Sequence, residues 1–375
     1  MTRREWIAAM AAGPLLRAAA DTSAAPVAPV SIAKCASYDE DVTARLGVMF
    51  DQLGGLGKLM AGKTVTIKLN MTGSPGQRVE GRPPGNTHFV HPKVVGAVAY
   101  HLGRAGAKRI RFVESPWATA GPLEDTVLDS GWNLRAIQSA AAGVEWENTN
   151  ALGKGKAYAR FPVPGSPYMY PAYDLNHAYQ DTDVFVSLAK LKNHDICGVT
   201  LSLKNCFGAL PASIYGDNAG VDAPNEKPDS GREAVGHRGR RQPSKSAPQE
   251  LHFGAEHEPG YRVPRIVADL AVARPIHLVI IDGVESIAGG EGPWISGIRI
   301  VKPGVLIAGM NPVCTDAVAT AVMGYDPRAP RGTRPFPHAD NTLWLAEQHG
   351  VGAADLKRIE VTGAAIRDVV YRFDA

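Results

Sequence analysis

Lys190, Lys192 and His194 occupy alternate positions at the end of an apolar run, Val184-Phe185-Val186-Ser187-Leu188. On an extended strand alternate residues share a face, so the three side chains are expected to point the same way. Such a set is costly at the end of a buried strand unless an anion or a metal meets it. Ten residues after His194 comes a second cluster, Lys204-Asn205-Cys206. The Phe207-Gly208 step behind it suits backbone lying close to a ligand. Histidine is the side chain whose unperturbed pKa lies nearest neutrality, so His194 is the expected general acid/base, with Lys192 beside it as the second catalytic candidate.

The remaining candidates fall where other strands are expected to end. Lys68 and Asn70 close a run over 64–69, Glu114 follows one over 109–113, and Asp282, with Glu285 close behind, follows one over 277–281. Ligands of parallel α/β sheets bind beyond the carboxyl ends of the strands, where residues distant in sequence gather on one edge. On this reading Lys68, Lys192 and Lys204 supply positive charge and Asn70 and Asn205 orient a ligand. Glu114 and Asp282 hold the lysines or bind a divalent metal. Each has a plainer alternative: a snorkelling lysine for Lys68, a turn or cap for Asn70, Glu114 and Asp282. Asp316 sits in the first turn of a helix, where a carboxylate is stabilised by the dipole. His88, His91 and His252 are weaker candidates, and the basic stretch 237–241 reads as solvated surface.

The elements that must position these groups alternate. Strands are expected over 30–35, 64–69, 109–113, 144–147, 160–163 and 184–188, then 277–281, 305–308 and 358–361. Helices are expected over 41–60, from Pro92 to the stop at Gly106, over 131–140, 263–273, from Pro312 to Met323, and over 338–349. His91 at the N-cap with Pro92 at N1 is a good helix start. Strand–helix–strand at this spacing predicts an α/β fold with a mostly parallel sheet flanked by helices. A long polar loop, rich in glycine and proline, is inserted near 217–260; such loops are functional lids or unstructured. The organisation expected is a signal segment over 1–20, a linker over 21–29, and one α/β domain, of one or two lobes, over 30–375.

Thr2-Arg3-Arg4-Glu5-Trp6-Ile7 is similar to the twin-arginine export motif, and Ala18-Ala19-Ala20 has the small-x-small form of a cleavage site before Asp21. The expectation is an exported, periplasmic or extracytoplasmic protein delivered by the twin-arginine machinery. No stretch approaches the roughly 20 apolar residues of a membrane-spanning helix. The chain of 375 residues is 45% hydrophobic and 21% charged, ordinary for a globular protein. Loss of 1–20 removes Arg3, Arg4, Arg17 and Glu5 and lowers the net charge from +3 to +1, which gives no electrostatic case for a nucleic-acid partner. Cys35, Cys197, Cys206 and Cys314 form no C-x-x-C pair, and their spacing fits no common zinc or iron–sulfur site. Cys35 and Cys314, in apolar contexts, are expected as buried thiols, with a disulfide as the alternative in an oxidising compartment. There is no P-loop, no G-x-G-x-x-G after a strand, no G-x-S-x-G and no H-E-x-x-H.

Taken together and in order, these pieces resemble the DUF362 family of uncharacterised proteins. The resemblance rests on Ile67-Lys68-Leu69-Asn70, His91-Pro92 with Ala105-Gly106-Ala107, Val113-Glu114-Ser115-Pro116, and Lys190-Leu191-Lys192-Asn193-His194. It continues through 200–208 (TLSLKNCFG), Ile281-Asp282-Gly283 and Gly292-Pro293, to the helix opening at Asn311-Pro312. It covers roughly residues 30–330. Many relatives add a ferredoxin-like cysteine segment that this chain lacks, so no iron–sulfur cluster of that kind is implied. The resemblance implies the fold and the site and no reaction. Three functions are therefore carried forward: binding or transformation of a small anionic ligand; a metal-centred or redox-linked protein using His194, Asp282, Glu114 and Cys197 or Cys206; and a non-catalytic scaffold using 217–260.

Overall fold

The structure is a computed structural model that describes residues 25–152, 157–256 and 258–374. The twin-arginine-like motif, the rest of 1–20 and the first part of the linker lie outside the described residues. Among the described residues no helix is long and apolar enough to cross a membrane.

Eight short runs rich in β-branched and aliphatic residues form the central sheet. They are β1 (Val30–Lys34), β2 (Thr64–Lys68), β3 (Arg109–Glu114), β4 (Val144–Asn148), β5 (Val184–Lys190), β6 (Leu278–Gly283), β7 (Val305–Gly309) and β8 (Val361–Gly363). Their order across the sheet is β8-β1-β7-β6-β5-β2-β3-β4. Every pairing is parallel except the two made by β7, with β1 and with β6. The exception has a local cause. The chain passes from β6 to β7 through a two-stranded ribbon, Ser286–Ala288 with Arg299–Val301, and not through a crossover helix. A connection of that kind returns antiparallel. The mostly parallel sheet with flanking helices is thus present.

Alternation along the strands sends side chains to two cores. Val184, Val186 and Leu188 of β5 pack with Val65, Ile67, Leu278 and Ile280 on one face, under α1 (Val42–Gln52) and α2 (Pro92–Arg104). Phe185 and Ala189 face the other side with Val279, Ile281 and Ile307, under α4 (Pro259–Ala273) and α5 (Pro312–Val322). Between these in the chain lies the short α3 (Leu201–Asn205), and α6 (Thr342–Gln348) follows α5. Strands buried on both faces read as continuous apolar runs, which is why β5 and β6 are conspicuous in the sequence.

Several expectations are corrected. The helix expected over 41–60 is two, Val42–Gln52 and Gly57–Met60, because Gly54 and Gly55 take φ of +90° and +78° between them. The helix expected over 131–140 shrinks to Leu134–Gln138, and another precedes it at Leu123–Asp129. The strand expected over 358–361 forms instead at Val361–Gly363, and the helix expected over 338–349 begins at Thr342, where Asn341 Oδ1 caps the Leu343 amide at 2.9 Å. All four cysteines are buried free thiols.

Candidate functional site

Because β6, β5, β2 and β3 run parallel as neighbours, their carboxyl ends bring Asp282, Lys190, Lys68 and Glu114 side by side. The four form two buried ion pairs. Lys190 Nζ donates to Asp282 at 2.9 Å, and both side chains are wholly buried. Tyr38 Oη (2.8 Å) and the His91 amide (2.9 Å) also donate to Asp282, and the Tyr38 and His91 rings stack 3.6 Å apart. Burial, reinforced by Asp282, raises Tyr38 well above the ordinary tyrosine value, so its hydroxyl remains a donor. Burial lowers Lys190 against the pull of Asp282. In the second pair Lys68 bonds Glu114, whose carboxylate also accepts the Met71 and Ser115 amides at 2.8 Å each. Asn205 Nδ2 donates to Ser187 Oγ (3.0 Å) and the Lys68 carbonyl (3.2 Å), fixing the lysine's strand end. Gly208 leaves room for that lysine: a Cβ there would stand 2.9 Å from Lys68 Nζ. Gly208 also lines the cavity at this edge.

The expectation that Lys190, Lys192 and His194 share a face does not hold. The sheet strand stops at Lys190, and Asn193–His194 turns back in a small hairpin against Gly198–Val199. Each side chain goes elsewhere. Lys190 joins Asp282; Lys192 Nζ reaches the carbonyls of His88 and Glu291, each at 2.8 Å; His194 faces a cavity. Lys192 is wholly buried, and burial lowers it to about 7.

The cavity, about 760 Å³, lies on this sheet edge. Lys68, Asn70, Glu114, His194, Lys204 and Asn205 line it; Lys192 and Asp282 do not, being spent on loop carbonyls and on Lys190. Asp217, Gly231, Arg232, Glu233, His237 and Arg238 make another wall. The polar insertion near 217–260 therefore reaches the site, and the basic stretch read as solvated surface contributes His237 and Arg238. Arg232 is anchored by three 2.7 Å bonds, to the Leu210 carbonyl, Ser115 Oγ and Asn150 Oδ1. Burial lowers it to about 10. Reading by periodicity had no access to Arg232, His237 or Glu291, since a polar loop without alternation does not reveal what it faces.

Lys204 is placed with care. Thr200 leads into Leu201 at φ +45°, an uncommon conformation for a side-chain-bearing residue of the kind stored at functional sites. The α3 turn that follows is capped by Asp316, which accepts the Ser202 and Leu203 amides at 2.9 Å each. Asp316 thus serves the helix carrying Lys204 and Asn205, not only its own helix dipole; burial raises it to about 7. Among the described residues Lys204 Nζ has no hydrogen-bond or ion-pair partner, and it lies 4.6 Å from the centroid of the Phe207 ring. Burial lowers its pKa, with Lys68 and Arg232 adding repulsion against the pull of Cys197 and Glu291.

Two imidazoles face the same space in complementary states. His194 Nδ1 accepts the Ile196 and Cys197 amides at 3.2 and 3.4 Å, so the neutral ring carries its proton on Nε2. Burial, despite Glu291 at 3.6 Å, lowers it to about 3. His194 is therefore a neutral hydrogen-bond donor near pH 7. His237 Nδ1 lies 2.9 Å from the Arg232 carbonyl, which can only accept, so its Nε2 keeps a lone pair. Burial and Lys204 lower it too. Burial alone would raise Glu291, but His194, the Asp195 amide and the Trp294 indole outweigh it and hold it at about 2. Among the described residues no three His, Cys, Asp or Glu side chains group as metal ligands. Glu114 and Asp282 already serve lysines, and Cys197 and Cys206 are both raised by burial to about 12.

The family described as a domain of unknown function, DUF362, matches residues 65–321. The thylakoid-associated protein sll1697 of a Synechocystis species is 27% identical over 207 residues, 52% of this chain and 56% of its own length. The chain thus spans little more than half of that curated relative. Among solved structures, the lactate racemase apoprotein from Thermoanaerobacterium thermosaccharolyticum is similar with a TM-score of 0.36 at 9% identity, over 73% of this chain and 54% of that one. A Thermotoga maritima protein is similar with a TM-score of 0.35 at 12% identity, over 71% and 55%.

Proposed function

The chain belongs to the DUF362 family of unknown function, and we propose that it binds a small anionic molecule in the cavity at the carboxyl edge of its sheet, with Lys204 as the principal charge. The observation that carries this reading is that Lys204 stands partly buried on the cavity wall and makes no ion pair or hydrogen bond among the described residues. A partly desolvated cation in that state is stabilised when an anion arrives. Lys68 is different, since Glu114 already neutralises it. Arg232 adds a second positive group, and Asn70 and Asn205 line the same wall. Transformation of the ligand follows the same geometry. His237 offers a lone pair and His194 an N–H, so a proton taken from the ligand by His237 would leave negative charge for His194 and Lys204 to stabilise.

The test is a thermal-shift screen of small carboxylates and phosphates. At least one is expected to raise the midpoint of unfolding in a concentration-dependent way, by the ordinary linkage of binding to stability. A panel that leaves the midpoint unmoved at millimolar concentrations would remove the support for an anion site.

Export through the twin-arginine machinery belongs to the same proposal and is supported by Arg3-Arg4 and Ala18-Ala19-Ala20. Replacing Arg3 and Arg4 together by lysine is expected to keep the chain unprocessed inside the cell. Normal cleavage before Asp21 in that variant would argue against this route.

A further inference from the structure

The loop after the Ser286–Ala288 strand gives the cavity two unlike groups. Glu291 stands 3.6 Å from His194. Trp294 follows and lines the same cavity. The six-membered ring of that indole packs against two glycines that have no space for more: a Cβ on Gly73 would stand 2.4 Å from Trp294 Cζ3, and one on Gly292 2.1 Å from Cη2. The indole Nε1–H donates to Glu291 at 3.0 Å, and His88 meets the ring edge-on with centroids 6.2 Å apart. The side chain is fixed from several directions, yet the residue stays 43% exposed. Trp117, just beyond the end of β3, lines the same cavity and is 58% exposed.

Single exposed apolar residues are ordinary. Two exposed tryptophans on one cavity, one of them held rigid, together with a lysine that makes no ion pair or hydrogen bond among the described residues, are a combination that calls for a ligand. A fixed aromatic surface loses little conformational freedom when something is laid on it. The volume, about 760 Å³, lies in the range of small-molecule sites and exceeds what a bare phosphate or acetate would fill. We propose that the ligand is an anion carried on a flat ring system, its charged group at Lys204 and its ring against Trp294 and Trp117. This rests on the anion reading above and narrows it. Two sources share that chemistry: a nucleoside monophosphate, with phosphate and base, and an aryl carboxylate.

Calorimetric titration of matched probes separates the outcomes. Adenosine monophosphate is compared with ribose 5-phosphate, and benzoate with acetate, on the wild-type protein and on Trp294→Ala, Trp294→Leu and Trp117→Ala. The ring-bearing member of at least one pair is expected to bind about tenfold or more tightly than its ring-less counterpart. Trp294→Ala is expected to erase most of that preference, and the pair that responds identifies the source. Unfolding midpoints of the three variants check that the fold is intact, and Trp294→Leu keeps apolar bulk if the alanine variant is unstable. Equal affinities within both pairs, or a preference untouched by every tryptophan variant, would overturn the ring while the anion site stands. Absence of binding by all four probes would overturn both.

Discussion

Asp282→Ala is expected to cost about 3–5 kcal/mol of stability, the usual consequence of breaking a buried ion pair by removing one partner. Asp282 and Lys190 are both wholly buried, and the carboxylate collects Lys190 Nζ, Tyr38 Oη and the His91 amide. Without it Lys190 would keep only Tyr38 Oη at 2.9 Å and the Gly85 carbonyl at 3.1 Å, both neutral. Burial already lowers the Lys190 pKa, so the lysine would shed its proton rather than remain charged. The Tyr38–His91 stack, which ties the first strand's exit to the start of α2, would lose its shared acceptor. Replacing both partners, Lys190→Met with Asp282→Leu, should recover much of the loss, because two apolar groups leave no charge unpaired. Urea unfolding of the two single variants and the double variant measures this. Single-variant losses under about 1 kcal/mol would mean that the pair does not anchor the sheet edge.

Lys204→Gln is expected to behave in the opposite way. Its Nζ makes no hydrogen bond or ion pair among the described residues, so stability without ligand should change by about 1 kcal/mol or less. Anion affinity should fall by about 100-fold, roughly 2.7 kcal/mol, as expected when a charge-assisted contact is removed from a desolvated site. Lys204→Arg, which keeps a charge in a different shape, should retain part of the binding. The pH dependence has a definite sign. The anion needs the ammonium form, and burial, with Lys68 and Arg232 facing the same space, lowers the free-state pKa. Binding raises it again, so complex formation takes up a proton above the free-state value. Affinity must therefore fall as pH rises through that depressed pKa, and the fall should be shallower in Lys204→Gln. Lys192, held at about 7 behind Glu291, accounts for a remaining slope. Burial lowers both histidines from the ordinary imidazole value, so they add less to this slope than free imidazoles would.

How far the sequence reveals this site depends on which interactions are local. The β5 run, the His91-Pro92 cap and the strand ends at Lys68 and Glu114 are legible because strand alternation, capping and parallel topology leave period and punctuation in the chain. The same logic places Lys68, Asn70, Glu114 and His194 on one edge, the family resemblance adds Lys204 and Asn205, and all six line the cavity. Asp282 and Lys192 share that edge but turn away from it. Their partners, Lys190 and the carbonyls of His88 and Glu291, lie up to 104 residues away, and no period records them. The protonation states were equally hidden. His194 looks like an acid/base until burial and two backbone amides make it a neutral donor. The insertion near 217–260 has no alternation at all, so Arg232 and His237 emerge as site residues only when the wall they build is seen.

The central claim is that Lys204 awaits an anion, and the position of a bound anion tests it most directly. In a crystal structure of the protein with the most stabilising anion from the screen, the charged group is predicted within about 3 Å of Lys204 Nζ, at the length of a charge-assisted hydrogen bond. An anion bound outside the cavity, or inside it with Lys204 still unpaired above the Phe207 ring, would contradict the account.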